Sequence, residues 1–374
     1  MPTAQPLVHV VGARPNFVKA APVMHALAER GVPQRLVHTG QHYDAAMSDV
    51  FFDDLELPRP DVSLGVGSGS HAVQTAAIMV ALEQALTPER PPLVIVYGDV
   101  NSTIAAALVC AKLGIPSAHV EAGLRSFDRS MPEEINRVVT DRLADLLFVT
   151  SPEGVDNLAR EGIDAGRVHL VGNPMIDTLL RHLSRFDPGP VRDRLGAPGR
   201  YAVATIHRPA NVDEPHAARR IVAALEEAVA RIPVVLPLHP RGRATLEEAG
   251  LAELTGRGLL VVDPLGYLEF LSLVRGSSAV ITDSGGIQEE TTILGIPCLT
   301  LRPNTERPIT ITHGTNRLVE PEALGAALDG ALAGAQAPPP EGPPLWDGHA
   351  GERISQSIES WLAVRAGPGG TSGS

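Results

Sequence analysis

Short apolar, β-branched runs recur along the chain, and each is followed by a longer stretch of helical spacing. In the first half the runs are Leu7–Val11, Arg35–His38, Leu93–Tyr97, Ser117–Val120, Leu146–Thr150 and Val168–Val171. In the second they are Tyr201–Thr205, Val234–Leu238, Leu259–Val262, Ala279–Thr282 and Cys298–Leu301. Near-continuous apolar strands that alternate with helices predict parallel sheets buried on both faces. Helices are predicted over His71–Leu86, Asn101–Leu113, Tyr267–Val274, Pro321–Ala333 and Glu352–Val364, and Asp44 has the character of a helix N-cap. Pro- and Gly-rich segments at Asp187–Pro190 and Ala197–Gly199 mark a boundary within 181–200. The predicted organisation is α/β with two domains. One covers 1–180, joined by a C-terminal helix 352–366, and the other covers 190–345, with a disordered tail at 367–374.

A chain of 374 residues is long enough to give each half its own core. The formal net charge of −12 argues against nucleic-acid or membrane-surface partners. No run is long enough to span a bilayer, and the first residues lack the basic and apolar regions of a signal peptide. Cys110 and Cys298 lie in different halves without metal-ligand spacing, which predicts a reduced cytoplasmic protein with no metal site.

The strand ends carry the candidate chemistry, because ligands of open α/β sheets collect at the carboxyl edge. Arg14 and Lys19 follow the first strand, beside a helix start at Pro15. Asp99 and Glu121 each fall just past a strand end. Pro132 opens a helix with Glu133 in its first turn and Arg137 one turn later on the same face. Three carboxylates, Asp99, Glu121 and Glu133, are expected on one wall, where proximity splits their pKa values for acid–base work. A second reading makes Glu133 a dipole-stabilising residue with Arg137 as its ion-pair partner.

In the second half His207-Arg208 ends a strand and could contact a diphosphate, or could be structural. In Ala279–Leu294 a strand leads into Asp283-Ser284-Gly285-Gly286, read as a turn, and a helix from Ile287 with Glu289 and Glu290 in its first turn. Glycines there allow close backbone approach, and free N–H groups beside Ser284 suit an anion. The alternative is a tight turn with a capping serine.

The chain resembles the non-hydrolysing UDP-N-acetylglucosamine 2-epimerases from about Leu7 to Ile354. The stretches that carry the resemblance are GARPNFVKAAP (12–22), TGQH (39–42), YGDVNST (97–103), HVEAGLRS (119–126) and PEEINR (132–137). GNPMID (172–177), HRPANVD (207–213), DSGGIQEE (283–290) and TERP (305–308) complete them. The resemblance implies a glycosyltransferase-B-like fold of two Rossmann-like domains facing a central cleft. It implies a UDP-sugar substrate, a homodimer and no cofactor. Carried over by motif, Asp99, Glu121 and Glu133 are acid–base candidates that Arg137 orients, and His207 is expected at the diphosphate. Arg14, Lys19, Ser284, Gly285 and Gly286 are implied to hold phosphate or UDP. Glu290 is implied at the ribose, Phe270 and the backbone near Leu265 at the uracil, and Arg307 at the nucleotide. The implied reaction eliminates UDP as the C2 proton leaves, then adds UDP back with the proton delivered to the opposite face.

The chain departs from that pattern in two places. His207-Arg208-Pro209-Ala210-Asn211 stands where many bacterial members have His-Arg-Arg-Glu. Gly65–Ser70 replaces a loop with an arginine in members activated by a second UDP-N-acetylglucosamine, so that activation is not carried over. Residues 31–64 and 98–137 also resemble UDP-2,3-diacetamido-glucuronate 2-epimerases, while Glu289 and TERP favour the N-acetylglucosamine group. A retaining glycosyltransferase on the same scaffold and an inactive sensor are the remaining alternatives; three clustered carboxylates weigh against the first, and the presence of His207 with them against the second.

Overall fold

The computed structural model describes residues 5–41, 51–238, 240–334 and 341–366; Asp44, His42, His239 and the tail 367–374 lie outside the described residues. The chain divides into two compact units, one formed from Met1–Leu180 with Pro344–Ser374 and the other from Arg181–Pro343.

The first unit is a seven-stranded sheet in the order β3-β2-β1-β4-β5-β6-β7. Its strands are β1 (Leu7–Val11), β2 (Gln34–His38), β3 (Val62–Ser63), β4 (Val94–Tyr97), β5 (Ser117–Ala122), β6 (Leu146–Val149) and β7 (Val168–Leu170). Every pairing is parallel. Among the described residues, the principal helices between them are α1 (Arg14–Glu29), α2 (His71–Leu86), α3 (Asn101–Leu113), α4 (Pro132–Leu143) and α5 (Pro152–Arg160), and α6 (Pro174–His182) follows β7. All four residues of β4 are fully buried, as a strand covered on both faces requires.

The second unit repeats the plan with six parallel strands in the order β10-β9-β8-β11-β12-β13. They are β8 (Ala202–Thr205), β9 (Val234–Pro237), β10 (Leu259–Val262), β11 (Val280–Thr282), β12 (Cys298–Thr300) and β13 (Asn316–Leu318). Its principal helices are α7 (Pro188–Leu195), α8 (Pro215–Val229), α9 (Tyr267–Arg275), α10 (Gly285–Leu294) and α11 (Leu324–Leu332). The last helix, α12 (Ala350–Ala366), packs against α1 of the first unit. Gly351 lies so close to Pro22 that a Cβ there would sit 2.5 Å from the Pro22 carbonyl oxygen.

In each sheet the strand order reverses beside the first strand, between β1 and β4 and between β8 and β11. Loops leaving such a neighbouring pair run to opposite faces and open a crevice at the carboxyl edge. Among the described residues no helix is long and apolar enough to cross a membrane.

Candidate active site

At the first unit's switch point, Asn16 joins the two loops. Its Oδ1 accepts from the N–H groups of Gly12 and Ala13 at 2.9 and 3.0 Å, and its Nδ2 donates to the Tyr97 carbonyl at 2.7 Å. Lys19, one turn further along α1, is buried and forms an ion pair with Glu121. Gly98 makes this possible: a Cβ there would lie 3.0 Å from Lys19 Nζ and 3.1 Å from Glu121 Oε2. Glu121 sits in β5 at a register shift between Val120 and Ala122, with φ of 78°. A bulge turns one side chain away from the strand's alternation, and a non-glycine residue with positive φ stores strain.

Asp99 follows Gly98 and keeps 23% of its side chain exposed. Arg137 Nη1 donates to Asp99 Oδ2 at 2.5 Å. The other side of the guanidinium binds Glu134 Oε2, Nε at 3.1 Å and Nη2 at 2.8 Å. The second reading, with Glu133 as the ion-pair partner of Arg137, does not match these contacts: Glu134, three residues back rather than four, binds the guanidinium. Glu134 is buried and also accepts from the Ser126 and Phe127 N–H groups at 2.9 and 3.0 Å, whereas Glu133 is half-buried at the helix start. Asn136 Nδ2 donates to the Asp99 carbonyl at 2.8 Å. Arg14 begins α1 and lies over the Phe51 ring at 5.7 Å.

In the second unit, His207 and Asp283 meet at the β8/β11 switch point. His207 Nδ1 lies 3.0 Å from Asp283 Oδ1, with 52% of the His207 side chain exposed and the Asp283 side chain fully buried. Asp283 also accepts from the N–H of Arg208 at 2.9 Å and from Asn211 Nδ2 at 3.0 Å. Burial pushes its carboxyl up, but His207 and the other donors outweigh this and hold it below the ordinary value. A carboxylate at Nδ1 fixes the imidazole with a proton on that nitrogen and leaves Nε2 as the edge open to a ligand.

Helix α10 begins at Gly285, two residues earlier than the sequence pattern indicates. Ser284 is the N-cap by position, but its side chain makes no capping hydrogen bond; its N–H donates to Thr282 Oγ1 at 2.9 Å. Glu289 and Glu290 therefore fall in the second turn, because the two glycines take helical backbone angles instead of forming a turn. With no Cβ, Gly285 admits the Arg307 guanidinium and Glu306, whose Oε1 would lie 2.7 Å from an added Cβ. Arg307 pairs with Glu306 and, through Nε, with Glu289 Oε1 at 3.0 Å. Glu306 also binds Arg302 Nη2 at 2.6 Å. Burial raises its carboxyl, but Arg307 and Arg302 draw it well below the ordinary range. Glu290 is pushed up to about 8 by burial and by Glu289, against a lowering contact from Tyr267. Phe270 is half-buried on α9.

The structure thus pairs Lys19 with Glu121, Arg137 with Asp99, and Arg307 with Glu289. Asn16, which joins the two loops, Glu134, which binds Arg137, Asp283, which binds His207, and Glu306, which binds Arg307, were not singled out from the sequence. All but Asn16 are acidic residues within or beside the matching motifs, and the nearby cations that need a buried anion were the available signal.

Two parallel sheets of reversed strand order, each with polar side chains at its switch point, define a glycosyltransferase-B-like α/β protein. A sucrose-phosphate synthase from Thermosynechococcus elongatus shares this fold at a TM-score of 0.57 and 15% identity, covering 96% of each chain. The sequence pattern of UDP-N-acetylglucosamine 2-epimerase matches residues 25–359, and the chain belongs to that family of epimerases, which are isomerases. It is 41% identical over 318 residues to a UDP-N-acetylglucosamine 2-epimerase of Methanocaldococcus jannaschii, covering 83% of this chain and 87% of the relative. It is also 43% identical over 327 residues to a UDP-2,3-diacetamido-2,3-dideoxy-D-glucuronate 2-epimerase of Pseudomonas aeruginosa, covering 86% and 89%. The crystal structure of the Methanocaldococcus jannaschii UDP-GlcNAc 2-epimerase with UDP-GlcNAc and UDP superposes at a TM-score of 0.87, with 38% identity, covering 95% of this chain and 99% of that one.

Proposed function

We propose that this chain interconverts UDP-N-acetylglucosamine and UDP-N-acetylmannosamine, working as a homodimer without a cofactor. The C2 proton passes to a carboxylate of the first unit while the C1–O bond breaks. The electrons of the C–H bond form the C1=C2 double bond and those of the C–O bond leave with UDP. UDP then adds back to the 2-acetamidoglucal, and C2 receives a proton on its other face. Asp99, Glu121 and Glu133 are the proton-transfer candidates. Arg137 orients Asp99, and Lys19 orients Glu121 as well as being a phosphate candidate with Arg14. The second unit contributes the hold on UDP: Ser284, Gly285, Gly286 and Arg307 toward the phosphates, Glu290 toward the ribose and Phe270 toward the base. His207, aligned by Asp283, faces the leaving diphosphate through Nε2 and protonates or hydrogen-bonds it.

The observation that supports this reading most is the pairing of two acid–base candidates with separate buried cations at one switch point, Lys19 with Glu121 and Arg137 with Asp99. Two proton-transfer groups need independent anchoring if they are to serve opposite faces of one carbon. NMR of UDP-N-acetylglucosamine incubated with the enzyme in D2O is expected to show deuterium at C2 and a second sugar. Unchanged substrate with no exchange would end the proposal. The Pseudomonas aeruginosa relative supports a second reading, the corresponding 2-epimerisation of UDP-2,3-diacetamido-glucuronate. Relative kcat/KM on the two substrates separates them.

A further inference from the structure

Glu121 is held in its left-handed backbone conformation by groups on both of its flanks, and one carboxylate binds both. Two residues before it, His119 places Nδ1 at 2.6 Å from Asp141 Oδ1. Two residues after it, the Gly123 N–H donates to Asp141 Oδ2 at 3.1 Å. Arg125 Nη1 completes the grip at 2.7 Å from the same oxygen, and is itself bound by Glu161 through Nε and Nη2 at 2.7 and 2.8 Å. The other edge of the His119 ring donates from Nε2 to the Gly98 carbonyl at 2.8 Å, immediately before Asp99. The Gly98 N–H returns to the Val120 carbonyl at 3.0 Å, immediately before Glu121. His119 and Asp141 are completely buried, and Arg125 nearly so.

We propose that Asp141, acting through His119 and Gly123, is a positioning residue that fixes the bulge at Glu121 and locks it to the Gly98–Asp99 turn. The proposal rests on the acid–base role given above to Asp99 and Glu121. A buried charged network is a poor way to add stability, since well-packed apolar side chains serve as well. This one spends its hydrogen bonds on the two strand ends that carry the carboxylates. Asp141 also lies four residues beyond Arg137, which lies four beyond Glu133, so one stripe of α4 carries a candidate carboxylate and the anchors of the other two. Removal of the clamp lets the bulge relax toward ordinary strand geometry, and Glu121 leaves its position relative to Asp99.

The test uses Asp141→Asn and His119→Gln in the full-length enzyme. Asparagine cannot accept from both His119 and Gly123, and its neutral amide removes the buried counter-charge of Arg125. Folded Asp141→Asn is expected to keep KM and UDP affinity while kcat falls about a hundredfold, the cost of a misplaced reacting group. Amide exchange at Gly98 and Gly123 is expected to accelerate in the same variant. A folded variant with kcat within about threefold of wild type, or with UDP affinity falling in parallel with kcat, overturns the proposal. If Asp141→Asn does not fold, His119→Gln decides, since it leaves Asp141 paired with Arg125 and Gly123. If both unfold, the network is a core element and not a clamp. A wild-type enzyme inactive on both UDP-sugars defeats the proposed function instead, and the exchange measurement still reports whether Asp141 orders the bulge.

Discussion

Buried charges at the two switch points are matched almost one for one, and that governs what single substitutions do. Lys19→Ala leaves the Glu121 carboxylate buried without its cation, and is expected to cost about 3–5 kcal/mol in chemical denaturation. Arg137→Lys keeps the charge but loses the fork that spans Asp99 and Glu134. We expect that variant to melt near wild type, with kcat down on the order of a hundredfold, measured by C2 deuterium exchange. Glu290 titrates near 8 because the fold favours its neutral form over the ordinary 4.5. Its folded pKa lies above its unfolded one, so stability is retained below the unfolded value and lost as pH rises through about 8. Glu290→Gln, an isostere of the neutral acid, is expected to leave the melting temperature unchanged near pH 4 and to raise it by an amount that grows between the ordinary 4.5 and about 8 and then levels off.

At the scale of elements, a few backbone positions set the geometry. Gly98 has φ of 64° and faces both Lys19 and Glu121. Gly98→Ala adds the strain of that conformation, about 1 kcal/mol, while the two side-chain ends must each shift by a few tenths of an ångström. The expected result is a small drop in melting temperature with a much larger drop in kcat; equal retention of both would show that the contact is unimportant. Most strands and helices were legible in the sequence because their runs are apolar and uninterrupted. Leu7–Val11 and Asn101–Leu113 match their elements end to end. The start of α10 was less legible: it opens on two glycines where propensity suggests a turn, because the sheet edge fixes the direction of the chain. The two-residue β3 and the edge strand β13 carry too little pattern to be seen in advance.

For the whole molecule, the C-terminal helix is part of the first unit's stability. The Gly351 N–H donates to Asp177 Oδ2 at 2.7 Å, and burial, with smaller opposing contacts, pushes the Asp177 carboxyl up to about 6. Because the folded value exceeds the ordinary 3.8, this group's contribution is intact below about 4 and is lost as pH rises through 6. A shift of about two units corresponds to roughly 3 kcal/mol. Asp177→Asn is expected to stabilise the protein at pH 8 by up to that amount and to leave it unchanged at pH 4. Thermal melts at the two values check this, and a uniform effect would rule the titration out.

Local pattern was enough to determine the alternating elements, the doubled α/β plan and the motif residues at strand ends, because burial and backbone propensity act over a few residues. It also carried the family, since the motifs fall in one order along nearly the whole chain. Tertiary structure alone decided the partners: Glu134 rather than Glu133 for Arg137, Glu121 for Lys19, Asp283 for His207, and Asp141 for both flanks of Glu121. Those choices depend on which side chains the parallel sheets bring into a low-dielectric interior, where each charge must find a counter-charge, and that pairing joins residues up to 102 positions apart.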